Sequence, residues 1–226
     1  MIADGIQMQQ VLDHGYVQYI DHMGTDITPA ESARMSYGAK ARGWDNGDGK
    51  LIKRLLRDGH TSPFEFNEIA FEIQAPIFVA RQMVRHRTAN WSEFSMRYAD
   101  ASKLSGDDIL FYTPTEWRRA NPQLELFEST PNSPTVSQDY AFAMRNCIET
   151  YQHLVSQGVS NELARMVLPT SVYTRWRWKI DYHNLVKFLK LRQASDAQWE
   201  MQQYANAIAK VTAQVWPRLI EANGDI

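Results

Sequence analysis

Residues 172–180 restrict the fold more than any other stretch of this chain. Val172, Trp176, Trp178 and Ile180 share one parity, while Tyr173, Arg175, Arg177 and Lys179 share the other. Successive side chains on a strand point to opposite faces, so this segment is a strand with one greasy and one basic face. Two more segments read as strands. Residues 15–22 carry Tyr16, Tyr19 and Ile20 among polar neighbours, and Ile69, Phe71 and Ile73 alternate with polar residues. Residues 109–112 are a shorter strand candidate.

Elsewhere the apolar period is helical. Thr28-Pro29-Ala30-Glu31 reads as a capping box with proline at the first helical position. Leu51, Ile52, Leu55 and Leu56 share one helical face, and Gly59 is placed to end that helix. Pro76 opens a helix that runs to about Val84. Residues 137–156, 161–168, 184–191 and 197–216 read as helices. The Gly- and Asp-rich stretch 38–49 and the polar, non-periodic stretch 85–98 read as loops. Residues 114–134, with four prolines, read as a long surface excursion. Strands and helices are intermixed with no repeat or linker, which gives one α+β domain over residues 1–226.

Composition narrows the functional classes. Apolar residues make up 44% of the chain, too many for a disordered one, and the net charge of −2 makes any anion site a local cluster. A partner that is a nucleic acid is therefore not expected. No run of 18 apolar residues and no secretory leader is visible, so a membrane partner is not expected either. The six histidines lack metal-site spacing, and no metal is expected. Cys147 is the lone cysteine, on a stretch that reads as an amphipathic helix. It reads as a small structural hydrophobe in a reducing compartment, the cytoplasm.

The chemistry is concentrated in arginines. Arg81, Arg85, Arg87, His86 and Arg97 fall within 17 residues, interleaved with Trp91, Glu93, Phe94 and Ser95. Such cations repel each other unless an anion or carboxylates lie among them, and the planar guanidinium grips phosphate in two places. A solvated helix end paired with Glu93 and Asp100 is the alternative. Arg165, Arg175, Arg177 and Arg192 form a second group, with Arg192 at a helix end, where the dipole alone favours a cation. The turn from Gly59 through His60, Ser62 and Glu65 offers hydroxyls and amides to an anion. No nucleophile motif, phosphate loop or dinucleotide glycine motif is present, which points to an organic cofactor that carries the chemistry.

Arg85-His86-Arg87, seven residues and then Ser95 resemble the RHR-(x)7-S signature of flavin-dependent thymidylate synthases, with Glu93, Arg97 and Tyr98 in its longer form. Segments around 59–65, 75–82, 162–169, 173–175, 191–192 and 197–200 are similar to family segments in the family's order. The resemblance implies a mixed α/β core sheet with long helices. It also implies a homotetramer with active sites at subunit interfaces. FAD, NADPH and the co-substrate methylene-tetrahydrofolate would serve methylation of the pyrimidine deoxynucleotide dUMP. It assigns the nucleotide to Gln82, Met83, Val84, Arg85, Glu93, Phe94, Ser95, Met96, Arg97, Arg165 and Arg192. Of these, Arg192 and Ser95 are the catalytic candidates. FAD falls to His60, Ser62, Glu65, Arg85, His86, Arg87, Asn90, Glu93, Asp181, His183 and Lys187.

Several positions depart from the family pattern. Asn90 and Ser92 exchange the usual Ser and Asn. Asp181, His183, Lys187 and Asp196 stand where Asn, Arg, Asn and His are common. New carboxylates beside a flavin disfavour its reduced anion unless Lys187 or His183 offsets them. A variant that hydroxymethylates dUMP, or that acts on dCMP, is thus an alternative. A non-catalytic nucleotide- or nucleic-acid-binding protein on the same scaffold is another.

Overall fold

In the computed structural model, which describes residues 5–106, 108–119, 128–130 and 134–224, the two-faced segment lies inside a five-stranded sheet. Its strands are β1 (Gln9–Val11), β2 (Gly15–Met23), β3 (Glu68–Pro76), β4 (Asn90–Glu93) and β7 (Tyr173–Asp181); β5 (Trp117–Arg119) and β6 (Glu128–Thr130) form a separate ribbon. The order is β1-β2-β3-β7-β4, and every neighbouring pair is antiparallel.

The parity read from the sequence holds in β7. Trp176, Trp178 and Ile180 are buried, Arg177 is exposed, and Arg175 and Lys179 are half-buried. Tyr173 is the exception: it is fully buried, and its hydroxyl donates to Asp13 Oδ1 at 2.5 Å. Across the ladder Lys179 meets Glu68 at 2.6 Å, and Arg177 lies 3.9 Å from Glu72. Such half-exposed pairs are worth only about 0–1 kcal/mol each. Their greater effect is on register, because a one-residue slip would turn both acids toward the core.

Eight helices complete the described chain: α1 (Thr28–Met35), α2 (Asp48–Arg57), α3 (Ile77–Met83), α4 (Pro134–Ser156), α5 (Asn161–Ala164), α6 (Tyr182–Arg192), α7 (Trp199–Val215) and α8 (Pro217–Asn223). Helices α6 and α7 cover the greasy face of the sheet. Leu185, Phe188 and Leu189 of α6 are buried with Met201, Tyr204, Ile208 and Val211 of α7, the spacing of one helical face. Phe188 meets Trp178 edge-on at 5.0 Å. Burying each large side chain stabilises by roughly 1.5–3 kcal/mol. Gly15 fixes how closely α7 approaches: a Cβ there would lie 1.9 Å from the Tyr204 hydroxyl, which donates to Gln74 O.

Other details differ from the sequence reading. In β2 the inward residues are Val17 and Tyr19, whereas Tyr16 and Ile20 face outward, with a register shift between Tyr19 and Asp21. Thr28 is the first helical residue instead of the cap, because its hydroxyl accepts from Thr25 N and donates to Glu31. The loop at 85–98 contains β4, which forms because β7 offers a free edge. The stretch 109–112 makes only an isolated bridge, Phe111 to Val172. Residues 38–49 include a 3-10 turn and the start of α2, tied together by Asp48. The excursion at 114–134 supplies β5 and β6, and its remaining part lies largely outside the described residues. Gly59 ends α2 as expected, at φ +70, with Gly59 N and His60 N closing on Leu56 O and Leu55 O. No helix among the described residues is long and apolar enough to cross a membrane.

Candidate active site

Strand β3 turns at Pro76 into α3, and β7 turns at Asp181 into α6. Asp181 caps α6 by accepting from Asn184 N and Nδ2. The C-terminal ends of α3 and α6 meet. Arg192 donates from Nε to His86 Nε2 at 2.9 Å and from Nη2 to Gln82 O at 3.3 Å. A guanidinium stays protonated, so Nε2 of His86 must be a bare acceptor, and the ring is neutral with its proton on Nδ1. Burial, and then the Arg192 charge, lower the His86 pKa and agree with this state. The ring is also held edge-on against Phe188 at 4.9 Å. Sequence reasoning gave Arg192 to the nucleotide and His86 to the flavin, and did not foresee that they touch.

Strand β4 carries the next residues. Trp91 stacks on Trp176 at 4.5 Å, which fixes the strand on the greasy side. Glu93 accepts from Thr174 Oγ1 at 2.7 Å and from Trp91 Nε1 at 3.3 Å. Neither Glu93 nor Asp100 pairs with the local arginines, since Asp100 caps a 3-10 turn through Ser102 N. Ser95 Oγ accepts from Arg97 N, and Arg97 Nε reaches Glu162 of α5 at 3.3 Å. Met83 is buried in the main core, and Met96 is buried in a second cluster that Phe94 packs against. The side chains of Met83 and Met96 are structural, and only their backbone is left for a ligand. Val84 is exposed.

Arg85, Arg87 and Arg165 are exposed, and no acid among the described residues pairs with them. Leu163 and Met166, within the stretch 161–168 that reads as a helix, are 52% and 74% exposed beside Arg165. The helix there stops at Ala164 and continues only as a 3-10 turn, which carries these side chains outward.

A cavity of about 190 Å³ lies between α2, the turn after Gly59 and α6, lined by His60, Thr61, Phe64, His183, Lys187 and Lys190 among others. His183 has its pKa lowered by burial and by Lys187, against opposing pulls from Asp181 and Glu65. Ser62 and Glu65 sit on the adjacent 3-10 turn and are exposed, as is Asn90 at the start of β4. The cavity combines apolar walls with basic groups, which suits a planar group joined to an anion. Gln198 has no role in the sequence reading, yet its Oε1 accepts from Gln82 Nε2 at 2.6 Å.

The family model for the thymidylate synthase complementing protein matches residues 18–218. The flavin-dependent thymidylate synthase of Thermotoga neapolitana is 40% identical over 213 residues, 94% of this chain and 92% of the relative. That of Pseudothermotoga lettingae is 38% identical over 213 residues, 94% and 91% of the two chains. Among solved structures, the UMP/dUMP methylase PolB from Streptomyces cacaoi, bound with 5-Br UMP, superposes with a TM-score of 0.80 at 28% identity, covering 95% of each chain. The match over residues 18–218 and these identities over nine-tenths of the curated relatives show that the chain belongs to the flavin-dependent thymidylate synthase family.

Proposed function

We propose that the chain methylates C5 of dUMP to give dTMP, with FAD as cofactor, methylene-tetrahydrofolate as carbon donor and NADPH as reductant. The Arg192–His86 pair carries this reading. Nε of the guanidinium is held by the neutral ring and one Nη2 hydrogen by Gln82 O, which leaves its other N–H groups for a ligand. Set at the pyrimidine edge, those donors stabilise negative charge on the ring as it reacts. The unpaired Arg85 and Arg165, with Arg97, supply forks for the nucleotide phosphate, and Ser95 adds a hydroxyl.

The residues present fit the cofactor. Bound flavin supplies hydride chemistry, so no protein thiol is required. His60, His183 and Lys187 offer basic groups in the cavity, and Arg85, His86 and Arg87 lie toward the α3 end. Asp181 accepts two hydrogen bonds from Asn184 at the start of α6, which hold its carboxylate toward the helix. The cavity is smaller than the roughly 300–1,000 Å³ of a whole-ligand pocket. It takes one part of a dinucleotide, and a neighbouring subunit completes the rest.

A homotetramer is supported by α4, which buries only Met144 and Tyr151 and leaves Phe142 60% exposed. The free Cys147 fits a reducing, cytoplasmic setting. Product analysis by mass spectrometry tests the function, with FAD, NADPH and methylene-tetrahydrofolate supplied with dUMP and separately with dCMP. The expected result is a methylated product from dUMP alone. A hydroxymethylated product, or one from dCMP only, would overturn the reading.

A further inference from the structure

Glu200 opens α7 as a buried carboxylate, 2% exposed. Arg118 Nη2 donates to its Oε1 at 2.5 Å, and Tyr112 donates to the same oxygen at 3.2 Å. Its Oε2 accepts from Gln198 Nε2 at 2.9 Å. Gln198 Oε1 in turn accepts from Gln82 Nε2 at 2.6 Å. The four groups form a line from a buried ion pair to a residue at the α3 end of the site.

A carboxamide has one end that donates and one that accepts, and in isolation it can turn over freely. Here it cannot. The Arg118 cation keeps Glu200 an acceptor. An acceptor obliges Gln198 to present its NH2 end to Glu200 and its oxygen to Gln82. That oxygen obliges Gln82 to present its own NH2 end. The Arg118–Glu200 charge pair thus dictates, across two amides, which way the Gln82 carboxamide faces. Flipping Gln198 would set its oxygen against the buried Glu200 carboxylate, and flipping Gln82 would set oxygen against oxygen. A second support holds Gln198 in place: Gln202 Nε2 donates to Ala194 O and Ala197 O, which fastens the turn leading into it.

We propose that Gln198 and Glu200 are positioning residues for the nucleotide. They fix the Gln82 amide so that a single arrangement, one remaining N–H and the carbonyl oxygen, meets the ligand. The proposal rests on the reading of Gln82 as a nucleotide contact. Tyr112 and Arg118 act in it through Glu200, which gives the first strand of the excursion a task at the site.

The test is a double-mutant cycle on the FAD-loaded enzyme with Gln82→Ala, Gln198→Leu and both together. It reads the dUMP Kd by calorimetry, together with kcat and the flavin absorbance. Gln198 is exposed, so its replacement leaves folding intact. Each single variant is expected to weaken dUMP about fivefold, the order of one neutral hydrogen bond, with kcat within about twofold. The double variant should be no weaker than Gln82→Ala alone. Effects that multiply, or a Gln198→Leu enzyme with unchanged dUMP affinity beside a weakened Gln82→Ala enzyme, overturn the relay while leaving Gln82 a contact. A Gln82→Ala enzyme with unchanged affinity overturns both. Glu200→Gln provides the second probe. Arg118 and Tyr112 keep the oxygen of the new amide, so its NH2 end faces Gln198 and reverses the polarity of the line. Binding of dUMP should therefore weaken to at least the same extent, with flavin content preserved. Unchanged affinity in a folded Glu200→Gln enzyme counts against the proposal.

Discussion

Replacing Arg192 by alanine separates a catalytic arginine from one that merely ends a helix. The side chain makes two hydrogen bonds, at 2.9 Å to His86 and at a longer 3.3 Å to Gln82 O, and it is half-buried. A net hydrogen bond is worth about 0.5–1.5 kcal/mol, so with partial exposure the stability loss is about 1 kcal/mol. In a chain of this length that lowers Tm by roughly 2–4 °C. The loss of a preorganised donor at developing charge is larger, about 2.7–4 kcal/mol, or a hundred- to a thousandfold in rate. Flavin should stay bound, because His60, His183 and Lys187 line a cavity to which Arg192 does not contribute, and Arg85 and Arg87 remain in place. Turnover, flavin absorbance and thermal melting are measured on one preparation. Turnover within about tenfold of wild type, with the small drop in Tm, would refute the catalytic role and leave only the helix-dipole effect of about 0.3–1 kcal/mol.

The neutral state of His86 predicts a pH dependence. Its folded pKa lies below the ordinary imidazole value, so turnover should hold as pH falls through about 6.5 and drop only below it, when Nε2 gains a proton and can no longer accept from Arg192. Stability follows the same sign: the unfolded ring protonates first, so the contribution is present above the unfolded value and is lost as pH falls toward the folded one. An NMR titration that places the ring above 6.5 would contradict this. Asp48 is fully buried, and although burial alone would raise its pKa, hydrogen bonds from Arg42 N, Arg34 and Gly43 N hold it low. Asp48→Ala strands Arg34 and two backbone donors and should cost about 3–5 kcal/mol in urea unfolding, and a loss under about 1 kcal/mol would disprove the clamp. Cys147→Ala should keep turnover and flavin content, and a folded, flavin-loaded but inactive variant would show that the thiol takes part. If two subunits build each site, mixing and reassembling inactive Arg192→Ala and Arg165→Ala enzymes should restore about a quarter of wild-type activity, whereas no recovery would place both arginines in one chain's site.

Much of the fold was legible because it rests on local alternation. Strand β7 is read from parity, and β3 likewise, since Ile69, Phe71 and Ile73 all face the core. Gly59 is legible as a helix stop because its left-handed φ is a property of one residue. Strand β4 was not legible. Asn90–Glu93 has no apolar alternation beyond Trp91, and it becomes a strand only because the edge of β7 lies beside it. The cap of α1 failed for a related reason. The Thr28 hydroxyl has Thr25 N as a competing partner, and a sequence pattern carries no information about which one prevails.

At the site, residue types were legible and their pairings were not. The density of arginine from 81 to 97 suggested one anion cluster, yet β4 divides it. His86 on one side meets Arg192 at the end of α6, and Arg97 on the other meets Glu162 in α5. These partners are separated by 106 and 65 residues, distances at which spacing rules are silent. The charge state of His86 is the sharpest case. Among so many cations an imidazole would be expected to lose its proton by repulsion alone. The structure adds a stronger reason, because a donor that cannot deprotonate points straight at Nε2. Placing the ring on Arg192 therefore favours its neutral, accepting form, and it leaves the remaining face of the guanidinium for a ligand that must itself supply acceptors.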